Sequence, residues 1–200
     1  SEYKPVWVNN DPAALLLSIS VLKNKTGSSR VIISRGELIE MGSGFRVGDI
    51  IKEAGVELVE VGTTNKTRLS DYEAALKSGG GTICKIHPDN YAIEGDIQQV
   101  PAQELAFLAR KWDVPFVFDA STVTIDQLKK SPSGATIITM STDKGLGGPQ
   151  GGLILCQADL QKELLASPLY RAVCLDKLSI TALETIFEAF ADKKEKAMVP

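Results

Sequence analysis

The chain has 200 residues, of which 44% are hydrophobic and 24% charged, the balance of an ordinary globular chain. This composition excludes collagen-like, disulfide-scaffold and disordered classes, and no apolar run approaches the roughly 20 residues that cross a bilayer. With 25 acidic against 22 basic residues, the net charge of -3 argues against a dedicated nucleic-acid surface, although a local basic patch is compatible with it. The three cysteines have neither metal-like nor disulfide-like spacing, so we expect a cytoplasmic protein without a metal centre or a membrane segment.

Short β-rich apolar runs alternate with helical stretches along the chain. The predicted strands cover residues 5–8, 31–34, 57–61, 82–86, 115–118, 135–139 and 152–155. The predicted helices start at residue 11, cover 47–54 and 70–77, follow Pro101, and cover about 160–165 and 181–191. Asp11 is the predicted N-cap of the first helix, with Pro12 at its first position, and Ser70 is the predicted N-cap of the third. The alternation predicts an α/β fold, a three-layer α/β/α arrangement around a mostly parallel sheet.

Residues that follow the strands are the candidates for chemistry, because parallel α/β sheets bind ligands at the carboxyl ends of their strands. The sharpest candidate is Lys144, in the glycine-rich loop STDKGLGGPQGG at residues 141–152. A lysine crowded by backbone can form a Schiff base with a carbonyl cofactor, and Ser141 can offer its hydroxyl to a phosphate. By spacing alone, a solvated loop lysine is the commoner alternative.

Three other strand ends favour a cofactor site. Asp119 ends a buried strand, where a carboxylate can pair with a protonated pyridine nitrogen. Asn90 can hydrogen-bond a ring hydroxyl. Asn9 and Asn10 precede a helix whose N-terminus offers N–H groups and a positive dipole end to a phosphate. Each of these residues taken alone also suits an ordinary turn or cap.

Two levels of resemblance follow from these motifs. Asn90, Asp119, Ser141 and Lys144 stand in this order at successive strand ends, which resembles the pyridoxal-phosphate enzymes of the aspartate aminotransferase fold (fold type I). SRGELIEMGSGFR at residues 34–46 and EVGTTNKT at 60–67 are similar to signatures of bacterial selenocysteine synthase, the L-seryl-tRNA(Sec) selenium transferase family. Further matching segments lie at residues 143–150, 167–172 and 176–178, and the resemblance covers about residues 6–190.

The resemblance implies pyridoxal 5'-phosphate as cofactor, held by Lys144, with Asp119 at the ring nitrogen and His87 near the cofactor. It implies catalytic positions for Asp143 and Arg171, with the Arg171 guanidinium binding the anion of the selenium donor. The implied reaction converts seryl-tRNA(Sec) to selenocysteinyl-tRNA(Sec) by loss of the serine hydroxyl and addition of selenium. At least a homodimer is expected, since enzymes of this fold build each site from two subunits.

The chain departs from the family pattern at three places. Asp11 and Pro12 in the phosphate loop add a negative charge and remove one N–H. Cys174 stands where the family has a second arginine, which weakens selenophosphate as the expected donor. Ala-Ser-Thr at residues 120–122 replaces a glycine-containing stretch after Asp119. Two alternatives therefore stay open: a pyridoxal-phosphate lyase acting on a small amino acid or amino sugar phosphate, and a truncated non-catalytic homologue.

The length of the chain matches the central, cofactor-binding domain of this family. We expect residues 1–158 to form the α/β core and residues 159–200 to form a helical segment leading to a small C-terminal domain that the chain lacks. The missing initial methionine and the abrupt apolar start suggest the edge of a larger protein or a truncated homologue.

Overall fold

The computed structural model describes residues 3–122, 124 and 134–191. Its strands are β1 (Lys4–Val8), β2 (Arg30–Ser34), β3 (Glu57–Val61), β4 (Thr82–Ile86), β5 (Phe116–Asp119), β6 (Ile137–Ser141) and β7 (Gly152–Cys156). Its α-helices are α1 (Asp11–Thr26), α2 (Val47–Glu53), α3 (Leu69–Lys77), α4 (Ala102–Trp112), α5 (Ala158–Ala166), α6 (Pro168–Val173) and α7 (Lys177–Ala191). Single 3-10 turns lie at Arg35–Glu37 and Gly42–Gly44.

The strands form one sheet in the order β1-β7-β6-β5-β4-β2-β3. Strand β7 is antiparallel to both of its neighbours, and the other neighbouring pairs are parallel. The predicted mostly parallel sheet is therefore confirmed. The carboxyl ends of β1, β2, β4, β5 and β6 meet at one edge of the sheet, which brings together the residues that follow these strands.

Two hydrophobic clusters cover the two faces of the sheet. In β2, Val31 and Ile33 pack into the cluster that contains α1, whereas Ile32 packs into the cluster that contains α3 and α4. This alternation follows from the two-residue period of a strand, and side chains buried on both faces are typical of parallel sheets. The three-layer α/β/α arrangement predicted from the sequence is confirmed.

Several predicted boundaries differ in the structure, and α7 begins at Lys177 rather than at the predicted residue 181. The N-cap of α1 is Asn10, not Asp11, because the Asn10 side chain accepts the N–H of Ala13 at 2.8 Å. Helix α3 begins at Leu69, ahead of the predicted cap Ser70, because the Asp71 carboxylate accepts the N–H of Arg68 at 2.8 Å. Strand β6 begins two residues later than predicted, where its pairing with β7 starts. The short helix α6 was not predicted.

The last helices pack against the first strand. In α5, the Gln161 amide donates to the carbonyl of Pro5 at 2.8 Å. In α7, the Phe187 ring lies 5.5 Å from the Trp7 ring, centroid to centroid. The division of the chain at residue 158 remains a prediction. Across the described ranges, no helix has the length and the apolar character that a bilayer crossing requires.

Candidate active site

A cavity of about 720 Å³ lies at the carboxyl edge of the sheet. It gathers residues that follow five different strands, as the order of the strands predicts. It is lined by Asn10, Asp11, Pro12, Met41, Gly42, Asp89, Asn90, Ser121, Thr122, Ser141, Asp143, Lys144 and Gln150. Of the predicted site residues, Asn10, Asn90, Ser141, Asp143 and Lys144 therefore share one cavity.

Lys144 projects from a loop that is closed by hydrogen bonds between its own residues. The N–H of Thr142 donates to the carbonyl of Gly151 at 3.0 Å, and the N–H of Gly148 donates back to Thr142 at 2.8 Å. The Thr142 hydroxyl donates to the carbonyl of Pro149 at 2.7 Å. Thr142 is fully buried while Lys144 is exposed to the cavity. The loop thus holds the lysine on a fixed frame.

The glycine at the end of this loop makes the closest backbone approach to helix α1. A Cβ added to Gly152 would lie 2.2 Å from the carbonyl oxygen of Asn10 and 2.5 Å from its carbonyl carbon. Both atoms belong to the backbone that starts α1, so neither can rotate away. Glycine at this position lets the lysine loop and the helix N-terminus lie side by side.

Replacing Gly152 with alanine is expected to lower the free energy of unfolding by at least about 2 kcal/mol, because the added methyl overpacks against fixed backbone. Chemical denaturation monitored by circular dichroism measures the change. Gly42→Ala is the matched control, since a Cβ at Gly42 meets nothing within 4 Å. An equal loss of stability in both variants would contradict the close approach.

Asp119 lies beneath the cavity rather than on its lining. Its side chain is buried, and its Oδ1 accepts the N–H of Ser121 at 2.8 Å. Ser121 has a φ of 50°, a left-handed conformation that favours glycine. Ser121 belongs to the stretch that replaces the family's glycine-containing segment. Its backbone thus adopts a conformation typical of glycine, which directs its N–H at Asp119.

Asp11 is also buried, and its side chain is hydrogen-bonded to that of Asp119. Burial, together with the negative charge of Asp119, holds the pKa of the Asp11 carboxyl well above its usual range. The sequence predicts an added negative charge at the start of α1. In the structure this carboxyl is buried, and burial disfavours its charged form.

Burial raises the pKa of the Asp119 carboxyl from its ordinary 3.8 to about 6, against the opposing effects of the N–H of Ser121, the hydroxyl of Thr139 and the Asp11 side chain. A raised pKa means that the folded state binds the proton more tightly than the unfolded state. The stabilisation is therefore complete below the unfolded pKa and is lost as the pH rises through the folded value.

We expect the cofactor-free protein to lose stability as the pH rises from about 4 through about 6. Thermal unfolding across this range measures the loss, and Asp119→Asn should reduce it because the amide does not titrate. Asp113→Asn is the control, since Asp113 is exposed and has a left-handed φ of 51°, which asparagine tolerates. A loss of the same size in Asp119→Asn would contradict the assignment.

Ser141 and Asn90 are engaged with the protein. The Ser141 hydroxyl donates to Oδ1 of Asp143 at 2.8 Å, and the Asn90 amide donates to the carbonyl of Glu40 at 2.7 Å. Both residues line the cavity. The hydrogen bond between Ser141 and Asp143 therefore fixes the segment directly before Lys144.

Besides Asp119, three predicted residues lie outside the cavity lining. Asn9 is exposed, and its N–H donates to the carbonyl of Val173 at 2.8 Å. His87 is exposed, and its N–H donates to the carbonyl of Asp119 at 2.9 Å. Arg171 is exposed on α6, which meets the end of β1 through a bridge between Val8 and Cys174. All three are at the carboxyl edge of the sheet, but the cavity does not bring them together with Lys144.

The sequence interpretation missed a buried ion pair between Lys85 and Glu37. Nζ of Lys85 lies 2.6 Å from Oε1 of Glu37, whose other oxygen accepts the N–H of Ile86 at 3.2 Å. The pair joins the turn after β2 to the end of β4, one residue before His87. A lysine inside an otherwise apolar strand was the available signal, since a buried ammonium needs a partner.

The two signature motifs pack against each other at the ends of β2 and β3. The hydroxyls of Ser34 and Thr67 lie 2.6 Å apart and are hydrogen-bonded. A Cβ at Gly36 would lie 2.5 Å from the carbonyl oxygen of Thr64, and one at Gly62 would lie 2.2 Å from the Thr67 hydroxyl. The motifs therefore form one packed unit that flanks the cavity.

The fold resembles solved structures at low sequence identity. The structure of D-glucosaminate-6-phosphate ammonia-lyase matches with a TM-score of 0.76 and 17% identity, over 94% of this chain and 53% of the lyase chain. An archaeal O-phosphoseryl-tRNA(Sec) selenium transferase matches with a TM-score of 0.70 and 17% identity, over 92% of this chain and 44% of the transferase chain. These likenesses agree with the fold predicted from the sequence.

Sequence comparisons are more specific. L-seryl-tRNA(Sec) selenium transferase of Methylocella silvestris is 41% identical over 197 residues, which are 92% of this chain and 41% of the relative. The Geotalea daltonii protein of the same name is 37% identical over 199 residues, 94% of this chain and 42% of the relative. The chain thus spans less than half the length of these relatives. The family model for SelA, L-seryl-tRNA selenium transferase, matches residues 3–199, so the chain belongs to the L-seryl-tRNA selenium transferase family.

Proposed function

We propose that this chain is the cofactor-binding domain of a cytoplasmic pyridoxal-phosphate-dependent transferase that acts on seryl-tRNA(Sec) and works as a homo-oligomer, at least a dimer. The observation that carries the proposal is the single cavity with Lys144 on its wall and the buried carboxyl of Asp119 beneath it. Family membership supports this function. The chain spans less than half the length of these relatives.

The residues present fit pyridoxal phosphate. A cationic ring nitrogen needs a buried anion, and Asp119 is a buried carboxyl with an N–H donor fixed on Oδ1. Lys144 offers the amine that holds the cofactor. The first turn of α1 lies at the same cavity, but it offers fewer N–H groups than usual to a phosphate. Pro12 has none, and that of Ala13 is bonded to Asn10.

Bound pyridoxal phosphate supplies an electron sink that eases loss of a proton and of a leaving group from an amino substrate. In this proposal, Nζ of Lys144 holds the cofactor and carries the proton at the substrate carbon. Asp143 and Ser141 brace the lysine loop through their 2.8 Å hydrogen bond. Asn90, which lines the same cavity, would orient the ring, and His87, outside that lining, would lie near the cofactor.

A second function, a lyase acting on a small amino acid or amino sugar phosphate, is favoured by one observation. No arginine is among the described residues that line the cavity, and Arg171 lies on the surface of α6. If Arg171 binds an anionic selenium donor, it therefore does so at a site outside this lining, such as the site of a second subunit. Competition between seryl-tRNA(Sec) and small amino compounds in a turnover assay separates the two functions.

Absorbance spectroscopy of the chain mixed with pyridoxal phosphate tests the shared cofactor claim. Wild type should develop the visible band of a lysine-bound cofactor, and Lys144→Ala should not. Lys162→Ala is the control, because Lys162 is exposed on α5, away from the cavity. Failure of wild type to develop a band would favour a non-catalytic homologue, and a band that persists in Lys144→Ala would exclude Lys144 as the anchor.

A further inference from the structure

The contact between Asp11 and Asp119 brings two acidic side chains together out of water. Asp11 is 7% exposed and Asp119 is 3% exposed. Two ionised carboxylates in this position would repel each other with no solvent to screen them. A hydrogen bond between two carboxyl groups requires that one of them carries a proton.

The donors around the pair are distributed unequally. Asp119 accepts the N–H of Ser121 at 2.8 Å. Among the described residues, no N–H or O–H group donates a hydrogen bond to the buried Oδ1 of Asp11. A bonded N–H group favours the ionised form of a carboxyl, whereas a carboxyl without donors is satisfied only by donating its own proton. The ionised member is therefore Asp119.

Charged groups from the surrounding elements act on the pair in opposite directions. Lys144, in the loop after β6, favours ionisation of Asp11, and Asp89, after β4, disfavours ionisation of both carboxyls. Cys84 of β4 lies near Asp119 and is fully buried. The effect of Lys144 on the ionisation of the pair is opposed by that of Asp89. These neighbouring charges therefore do not remove the need for a proton shared between Asp11 and Asp119.

We propose that Asp11 is a positioning residue, a carboxyl that stays protonated at neutral pH and donates its proton to Asp119, holding Asp119 ionised and aimed at the cavity. This inference rests on the proposed function in one respect only: the partner assigned to the Asp119 anion is the cationic ring nitrogen of the cofactor. It explains how an aspartate can occupy the first position of α1 in the phosphate loop, since a neutral carboxyl adds no repulsion there.

Carbon-13 NMR of the cofactor-free chain, labelled at aspartate carboxyls, tests the location of the proton. At pH 7.5, wild type should show one protonated carboxyl, and its signal should be absent from Asp11→Asn. The signal should persist in Asp89→Asn, which removes a neighbouring charge without removing the proposed donor. A protonated signal that survives in Asp11→Asn, or its absence from wild type, would overturn the proposal.

Cofactor titration tests the positioning role. Asp11→Asn keeps a neutral donor and should bind pyridoxal phosphate within about threefold of wild type, whereas Asp11→Ala should bind at least about tenfold more weakly, as expected when a bond to a charged group is lost. Equal binding by both variants would overturn the positioning role. If wild type binds no cofactor, the proposed function fails while the NMR result still decides the proton's location.

Discussion

Replacing Lys85 with alanine is expected to lower the free energy of unfolding by about 3–5 kcal/mol, the usual cost of leaving one buried charge without its partner. Lys85 and Glu37 are 2.6 Å apart, and their side chains are 11% and 4% exposed. Burial already raises the pKa of the Glu37 carboxyl, and Lys85 opposes that rise. In the variant this opposition is gone, so the loss of stability should be larger at neutral pH than in mild acid.

Urea denaturation at two pH values measures this effect. Lys111→Ala is the matched control, because Lys111 forms a 3.4 Å pair with Glu73 at the surface, where a pair contributes about 1 kcal/mol or less. The double variant Lys85→Met with Glu37→Gln should recover part of the stability, since it leaves no unpaired charge. Equal losses in Lys85→Ala and Lys111→Ala would show that the buried pair does not anchor the turn after β2 to β4.

Replacing Asp119 with asparagine is expected to change stability and cofactor binding in opposite directions. The amide removes a buried ionised group, so the cofactor-free variant should unfold at a higher temperature than wild type above pH 7. It also removes the anion proposed for the ring nitrogen, so affinity for pyridoxal phosphate should fall by about 10- to 100-fold, the range for a lost hydrogen bond to a charged group.

Thermal unfolding without cofactor and a fluorescence titration with it measure the two effects of Asp119→Asn. A structural role alone would lower stability and leave the affinity of the remaining folded protein unchanged. Such a result would contradict the assignment of Asp119 as a functional residue. A gain in stability together with a loss of affinity is typical of active-site residues, because such residues are kept for function although the fold alone does not favour them.

Much of the architecture could be predicted from local sequence pattern. Short apolar strands alternating with helices give a parallel sheet almost without further information, and the carboxyl edge then gathers Asn10, Asn90, Ser141, Asp143 and Lys144. The antiparallel direction of β7 could not be predicted in this way, because the period of a strand is the same in both directions. Helix α6 is only six residues long, too short for a clear periodic signal.

The roles of adjacent polar residues depend on tertiary contacts. Asn10 and Asp11 are both good N-cap residues, and the sequence pattern favours Asp11 because Pro12 follows it. In the structure Asn10 caps the helix, and Asp11 turns inward to meet Asp119, a residue 108 positions later (119 minus 11). No local pattern contains that contact. The pairing of Glu37 with Lys85, from two different elements, is similar.

The most direct measurement of the central claim is chemical trapping of the cofactor on its lysine. The chain is incubated with pyridoxal phosphate, reduced with borohydride, digested and mapped by mass spectrometry. We expect one dominant adduct, on the peptide that contains Lys144. An adduct spread equally over exposed lysines such as Lys52 and Lys162, with no preference for Lys144, would contradict a cofactor site in this cavity.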